Sequence, residues 1–153
     1  LFTKHHVFTK EEIYSRYEIL LENYVKTVEI EAKTLKEMTA KDFLPAVASY
    51  ASTVADQTMA MKAFAQEVPT SEAQALVAEL GTAYEKLSVS LKDLEEKIQA
   101  VSQAASMQEA ADLCHTSLLP AMDEIRAAAD AAETKIPDEE LPYPTYDALL
   151  FSI

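Results

Sequence analysis

Apolar residues along the first half of the chain fall at Ile13, Tyr17, Leu20, Tyr24, Val28, Leu35 and Met38, and continue at Val47, Tyr50, Val54, Met61 and Phe64. Steps of three and four of this kind place one face of an α-helix against a core. The start of that helix is marked by "TKEE". Thr9 can cap it while Glu12 bonds back from the third position, and Phe8 and Ile13 can form a hydrophobic staple around the cap. Its end is expected near "EVPT", because Pro69 disfavours helical geometry at Val68.

A second start reads "SEAQ", with Ser71 as cap and Gln74 as its partner, followed by Leu80, Tyr84, Leu87, Leu91, Leu94, Ile98 and Val101. The alternating steps of four and three are those of a coiled-coil seam, so a helix of about 30 residues, roughly 45 Å long, should pack at a shallow angle. A third start, "SMQE", pairs Ser106 with Glu109 and leads into a smaller seam of Ala111, Cys114, Leu118, Ala121, Ile125, Ala128, Ala132 and Ile136. Small residues there allow a neighbouring helix to approach closely.

The pattern predicts an all-α fold: an antiparallel bundle of three long helices over about 10–67, 71–103 and 107–135. Residues 1–8 form a lead-in, the bundle takes 9–136, and 137–153 form an apolar, proline-rich tail. Two strings echo each other, "FLPAV" from 43 and "LLPAM" from 118. A proline inside a helix removes one hydrogen bond and clashes with the carbonyl four residues back, so kinks are expected at Pro45 and Pro120. Such bends either shape a docking surface or wrap the helices around a core. Beyond Lys135, Pro137, Pro142 and Pro144 predict an extended run with a short helical turn from Thr145 to Leu150.

Composition sharpens this picture. One glycine in 153 residues, with Ala, Leu, Glu and Lys abundant, suits helices throughout. A net charge of −13 argues against nucleic acid and anionic membrane surfaces, both of which call for clustered Lys and Arg. The single Cys114 has no partner for an internal disulfide and fits a reducing compartment. No apolar run reaches the roughly 18 residues of a membrane span and no signal peptide opens the chain, so a cytoplasmic location is expected. The chain starts at Leu1 rather than Met and in apolar stride, "LFTKHHVF", which suggests a piece of a longer polypeptide.

Candidate chemistry is sparse. Gly81 stands alone, which leaves no phosphate-binding loop, and neither a "GxSxG" elbow nor zinc spacing occurs. His5 and His6 are adjacent and so do not face one ligand together. Asp112 and His115 share a helix face, as di-iron bundles require, but those use the motif twice with two further glutamates. A surface pair, or His115 against Cys114 and Leu118, is the plainer reading; a phosphorelay role for His115 has no further support. Arg16, between Tyr14 and Tyr17 on an acidic helix, either anchors an ion pair to another domain or pairs locally.

The strings "VFTKEEIYSRYEILLENYVKTVEIEAKTLKEM", "LPAV", "LLPAM" and "LPYPTYDALLF" together resemble the carboxyl-terminal region of type III glutamine synthetases, and the resemblance extends over essentially the whole chain. It implies a parent enzyme that joins ammonium to glutamate with ATP and Mg2+ or Mn2+, built as a cytoplasmic homo-oligomer of stacked hexameric rings. It carries over no catalytic, cofactor-binding or metal residue to this chain, whose expected role is architectural. The expected partners are its own catalytic domain and neighbouring subunits. Interface residues are then Arg16 and, in the tail, Tyr143, Tyr146, Leu149, Leu150 and Phe151. A free-standing interaction module, whose second-helix seam takes a helix from another protein, is the alternative. A metal-carrying bundle rests on Asp112 and His115 alone.

Overall fold

A computed structural model of the 153-residue chain describes residues 3–5 and 7–151, with Tyr146 and Asp147 described for their backbone alone. Every regular element among them is helical. Helix α1 spans Lys10–Met38, α2 Leu44–Phe64, α3 Ser71–Ser102, α4 Met107–Leu113, α5 Leu119–Glu133 and α6 Tyr146–Phe151. The reciprocal cap at the start of α1 is present: the Glu12 N–H donates to Thr9 Oγ1 at 3.1 Å, and the Thr9 N–H donates to Glu12 Oε2 at 2.8 Å.

Two caps differ from expectation. Ser71 is the first residue within α3, and the cap position falls to Thr70, whose hydroxyl accepts from Gln74 Nε2 at 3.4 Å. At α4 the Glu109 N–H donates to Ser106 Oγ at 3.2 Å, but the Glu109 carboxylate reaches past the cap to the Ala105 N–H at 2.8 Å. The first helical run ends at Phe64, before Val68, because the backbone turns extended at Ala65 with φ −143° and ψ 106°.

Both prolines follow a π-helical turn, Thr39–Phe43 before Pro45 and Cys114–Leu118 before Pro120. In each, the leucine preceding the proline bonds five residues back, Leu44 N–H to the Thr39 carbonyl and Leu119 N–H to that of Cys114. The wider turn accommodates a residue that can donate no hydrogen bond and whose ring crowds the preceding turn. The repeated Leu-Pro-Ala string thus has a repeated backbone form.

Helix α3 is the spine of the molecule. Leu80, Leu87 and Leu94, one heptad apart, are fully buried, and α3 lies along α2 and α5 while also touching α1 and α4. The seam expected for the third helix is buried throughout, from Ala111 and Cys114 to Ala132 and Ile136. Because the α3 leucines are sealed by the chain's own helices, they are not open to a helix from another protein. Tyr84 departs from the seam and is exposed.

Helix α1 needs a larger correction. Its packed residues are Leu21, Val25, Val28, Ala32 and Leu35, whereas Tyr17, Leu20 and Tyr24 lie at the surface. The covering neighbour of α1 is chiefly α4, which starts only at Met107, level with Tyr17, so the turns above lack that cover, while Leu20 and Tyr24 are rotated away from the packed side set by Leu21, Val25 and Val28. Met61 and Phe64 are exposed because the end of α2, among the described residues, runs chiefly beside α3.

Candidate functional site

Past Ile136, which is buried, the chain leaves the bundle at Pro137 and returns at Leu141, which packs on the core. Tyr143 then donates its hydroxyl to the Asp42 carboxylate on the first π turn, 101 residues away in sequence. Burial, reinforced by the hydrogen bond to Asp42, pushes the Tyr143 hydroxyl up to about 12. Thr145 starts α6: the Ala148 N–H donates to its Oγ1 at 3.4 Å and the Leu149 N–H to its carbonyl at 3.0 Å. Two prolines around Tyr143 hold the run extended between these anchors.

Between this tail, the end of α1 and α5 lies a cleft of about 570 Å3. Leu35, Met38, Phe43 and Met122 form its apolar floor; Asp123, Arg126, Asp130 and Glu133 line one side, and Tyr143 and Leu149 the other. Burial and then the neighbouring Asp130 raise the pKa of Glu133. A smaller hollow of about 350 Å3, lined by Ala55, Thr58, Ala73 and Val77 among others, sits between α2 and α3 near their connection.

The tail residues singled out by sequence divide between these surroundings. Leu149 lines the cleft while remaining 59% exposed, whereas Leu150 and Phe151 are 75% and 76% exposed and find little cover among the described residues. Tyr146 belongs to α6, and its side chain lies outside the described residues. Arg16 is exposed on α1, with its guanidinium carbon 4.7 Å from the centre of the Phe8 ring, a cation–π pair within the helix start. Nearby, backbone and side-chain hydrogen bonds from Thr9, helped by Arg16, hold the Glu12 carboxyl below its ordinary range.

The candidate metal groups do not converge. His115 is exposed on the outer side of the second π turn, while Cys114 beside it is fully buried, so His115 does not pack into the core. The Asp112 carboxylate accepts from Gln108 Nε2 at 3.0 Å. His5 is exposed and His6 lies outside the described residues. Among the described residues no three His, Cys, Asp or Glu side chains come together as a metal site. Burial, and secondarily Glu29, raises the Cys114 thiol, so it remains protonated and poorly nucleophilic.

Sequence reasoning missed Asp42 as the tail's anchor and Gln108, whose side-chain oxygen accepts from the Tyr17 hydroxyl. No local signal marks either, because each partner comes from a distant part of the chain. It also missed the exposed face of α1, where Tyr14 is 68%, Tyr17 48% and Leu20 67% exposed. No helix is long and apolar enough among the described residues to cross a membrane.

With this geometry in hand, comparisons with known proteins point one way. Residues 1–62 match the family described as glutamine synthetase C-terminal domain. Over 153 residues the chain is 37% identical to a glutamine synthetase of Butyrivibrio fibrisolvens, covering 100% of the chain and 22% of that protein. It is 27% identical over 150 residues to a glutamine synthetase of Bacteroides fragilis, 95% of the chain and 21% of the relative. A type-3 glutamine synthetase of Dictyostelium discoideum is 26% identical over 155 residues, 99% of the chain and 21% of that protein. The chain therefore spans about a fifth of the length of the curated relatives it matches.

Proposed function

We propose that the chain is a non-catalytic, architectural domain of a type III-like glutamine synthetase, a reading supported by the match of residues 1–62 to the glutamine synthetase C-terminal domain family. The observation that carries this reading is similarity along 100% of the chain to a protein of which it makes up only 22%. The parent would ligate ammonium to glutamate at the expense of ATP, in a cytoplasmic oligomer of hexameric rings. In such a parent, ATP and Mg2+ or Mn2+ would be held by the catalytic domain.

In this reading residues 9–136 are an antiparallel bundle of three long helices, bent at Pro45 and Pro120, with 1–8 as the lead-in from the catalytic domain and 137–153 as a docking tail. The packing of α3 between its neighbours and the π turn ahead of each proline support it. Arg16, Tyr146, Leu150 and Phe151 are assigned to contacts with the catalytic domain or a neighbouring subunit, and Tyr143 and Leu149 to holding the tail in place. The test compares the isolated chain, the full-length polypeptide and the polypeptide lacking these residues, for ATP binding, glutamine formation and mass in solution. The isolated chain should bind neither ATP nor glutamate, and its removal should disrupt assembly. ATP binding or turnover by the isolated chain overturns the proposal.

A further inference from the structure

The packed stripe of α1 continues beyond its cover. Counting back from Thr39, buried or half-buried positions recur at Leu35, Ala32, Val28, Val25 and Leu21 in steps of three and four. The next positions in the same rhythm are Tyr17 and Tyr14, which point along the same side of the helix. They are nevertheless 48% and 68% exposed, because α4 begins level with Tyr17, where its Gln108 takes the Tyr17 hydroxyl proton in a hydrogen bond. Leu20 and Tyr24 flank this stretch at 67% and 36% exposure. The upper part of α1 thus carries an exposed face rich in tyrosine from Tyr14 to Tyr24, about 15 Å long at 1.5 Å per residue.

We infer that this face, centred on Tyr14 and Tyr17 and edged by Leu20, is the seat of the catalytic part of the same polypeptide, and that the surface it meets is apolar. The inference rests on the proposed function above and adds which face docks and what chemistry it meets. Two observations choose the occupant. The relatives are several times longer than this chain, and the family match of residues 1–62 includes the uncovered turns, so in the proposed parent the occupant comes from the same polypeptide. A second copy is disfavoured by charge: each chain carries a net charge of −13, and at the edge of the face Glu11, Glu12 and Glu18 outnumber Lys10 and Arg16. Tyrosine suits such a seam, because it buries a large rigid ring while its hydroxyl still finds a partner.

Tyrosine nitration followed by peptide mass spectrometry tests this directly. In the isolated chain Tyr14 should be modified readily, and in the full-length polypeptide its modification should be lost, with Tyr84 on the far helix as the internal reference. Tyr14→Lys with Leu20→Lys, both at exposed positions, should leave the melting temperature of the isolated chain unchanged and should restore modification of Tyr17 in the full-length polypeptide. Equal labelling of Tyr14 in both forms overturns the inference, as does protection in the isolated chain that grows with its concentration, which marks a contact between copies. Because ATP binding is scored separately, exposed Tyr14 in a full-length ligase whose isolated domain binds no ATP sinks this docking face alone and leaves the architectural reading standing.

Discussion

Neighbouring leucines on α1 offer a direct test of its corrected packing. Leu20 is 67% exposed, whereas Leu21 is half-buried against the core, and the two side chains diverge by about 100° around the helix. Replacing either with alanine removes three carbons and leaves helix propensity almost unchanged. At about 0.8 kcal/mol per buried methylene, a fully covered leucine would lose about 2.4 kcal/mol before any cavity contribution. Half-burial brings Leu21→Ala to about 1–2 kcal/mol, while Leu20→Ala should fall within about 0.5 kcal/mol of the parent chain. For a domain of this size the difference corresponds to a melting temperature lower by about 3–6 °C for Leu21→Ala. Urea titration followed by circular dichroism, with equal slopes for both variants, measures it. If Leu20→Ala costs as much as Leu21→Ala in the isolated chain, the packed side of α1 is the one its sequence periodicity suggests and the structure's assignment is wrong.

Other consequences follow from burial and titration. Leu87→Ala, at a fully buried position between helices, should destabilise by about 2–5 kcal/mol in the same titration. Thr9→Ala should cost about 1 kcal/mol by opening the α1 cap, and Thr9→Ser should restore most of it. Tyr143 has its folded pKa raised from 10.0 to about 12, so its contribution is complete below pH 10 and is lost as pH rises through 12; amide exchange at Leu149 should accelerate over that window and, in Tyr143→Phe, should be faster already at neutral pH. Cys114 should resist thiol reagents in the folded chain and react once urea passes the unfolding midpoint; rapid labelling under native conditions would contradict its burial.

Much of the architecture is written in periodicity. The third-helix seam from Ala111 to Ile136 could be read residue by residue because small side chains fit only where another helix comes close. Leu80, Leu87 and Leu94 were equally plain. The same reasoning failed for Tyr17, because amphipathicity does not say how far the neighbour extends, and for Leu20 and Tyr24, because the packed side runs through Leu21 and Val25 instead. Proline at 45 and 120 announced a disturbed helix, but only the backbone shows that a wider turn precedes each. The bond between Tyr143 and Asp42 was invisible because no local rule relates residues so far apart.

The two π turns also constrain how this chain can change. A π turn holds one residue more than the α turn it replaces, so it resets the angular phase of everything after it by about 100°. Deleting a single residue there, Ala40 for instance, would restore α-helical spacing ahead of Pro45. Yet it would swing α2 out of alignment with α3 while α1 stayed seated on α4. A shortening that regularises the backbone would therefore unmake the assembly of helices, whereas the same deletion in the connection between α2 and α3 should be absorbed.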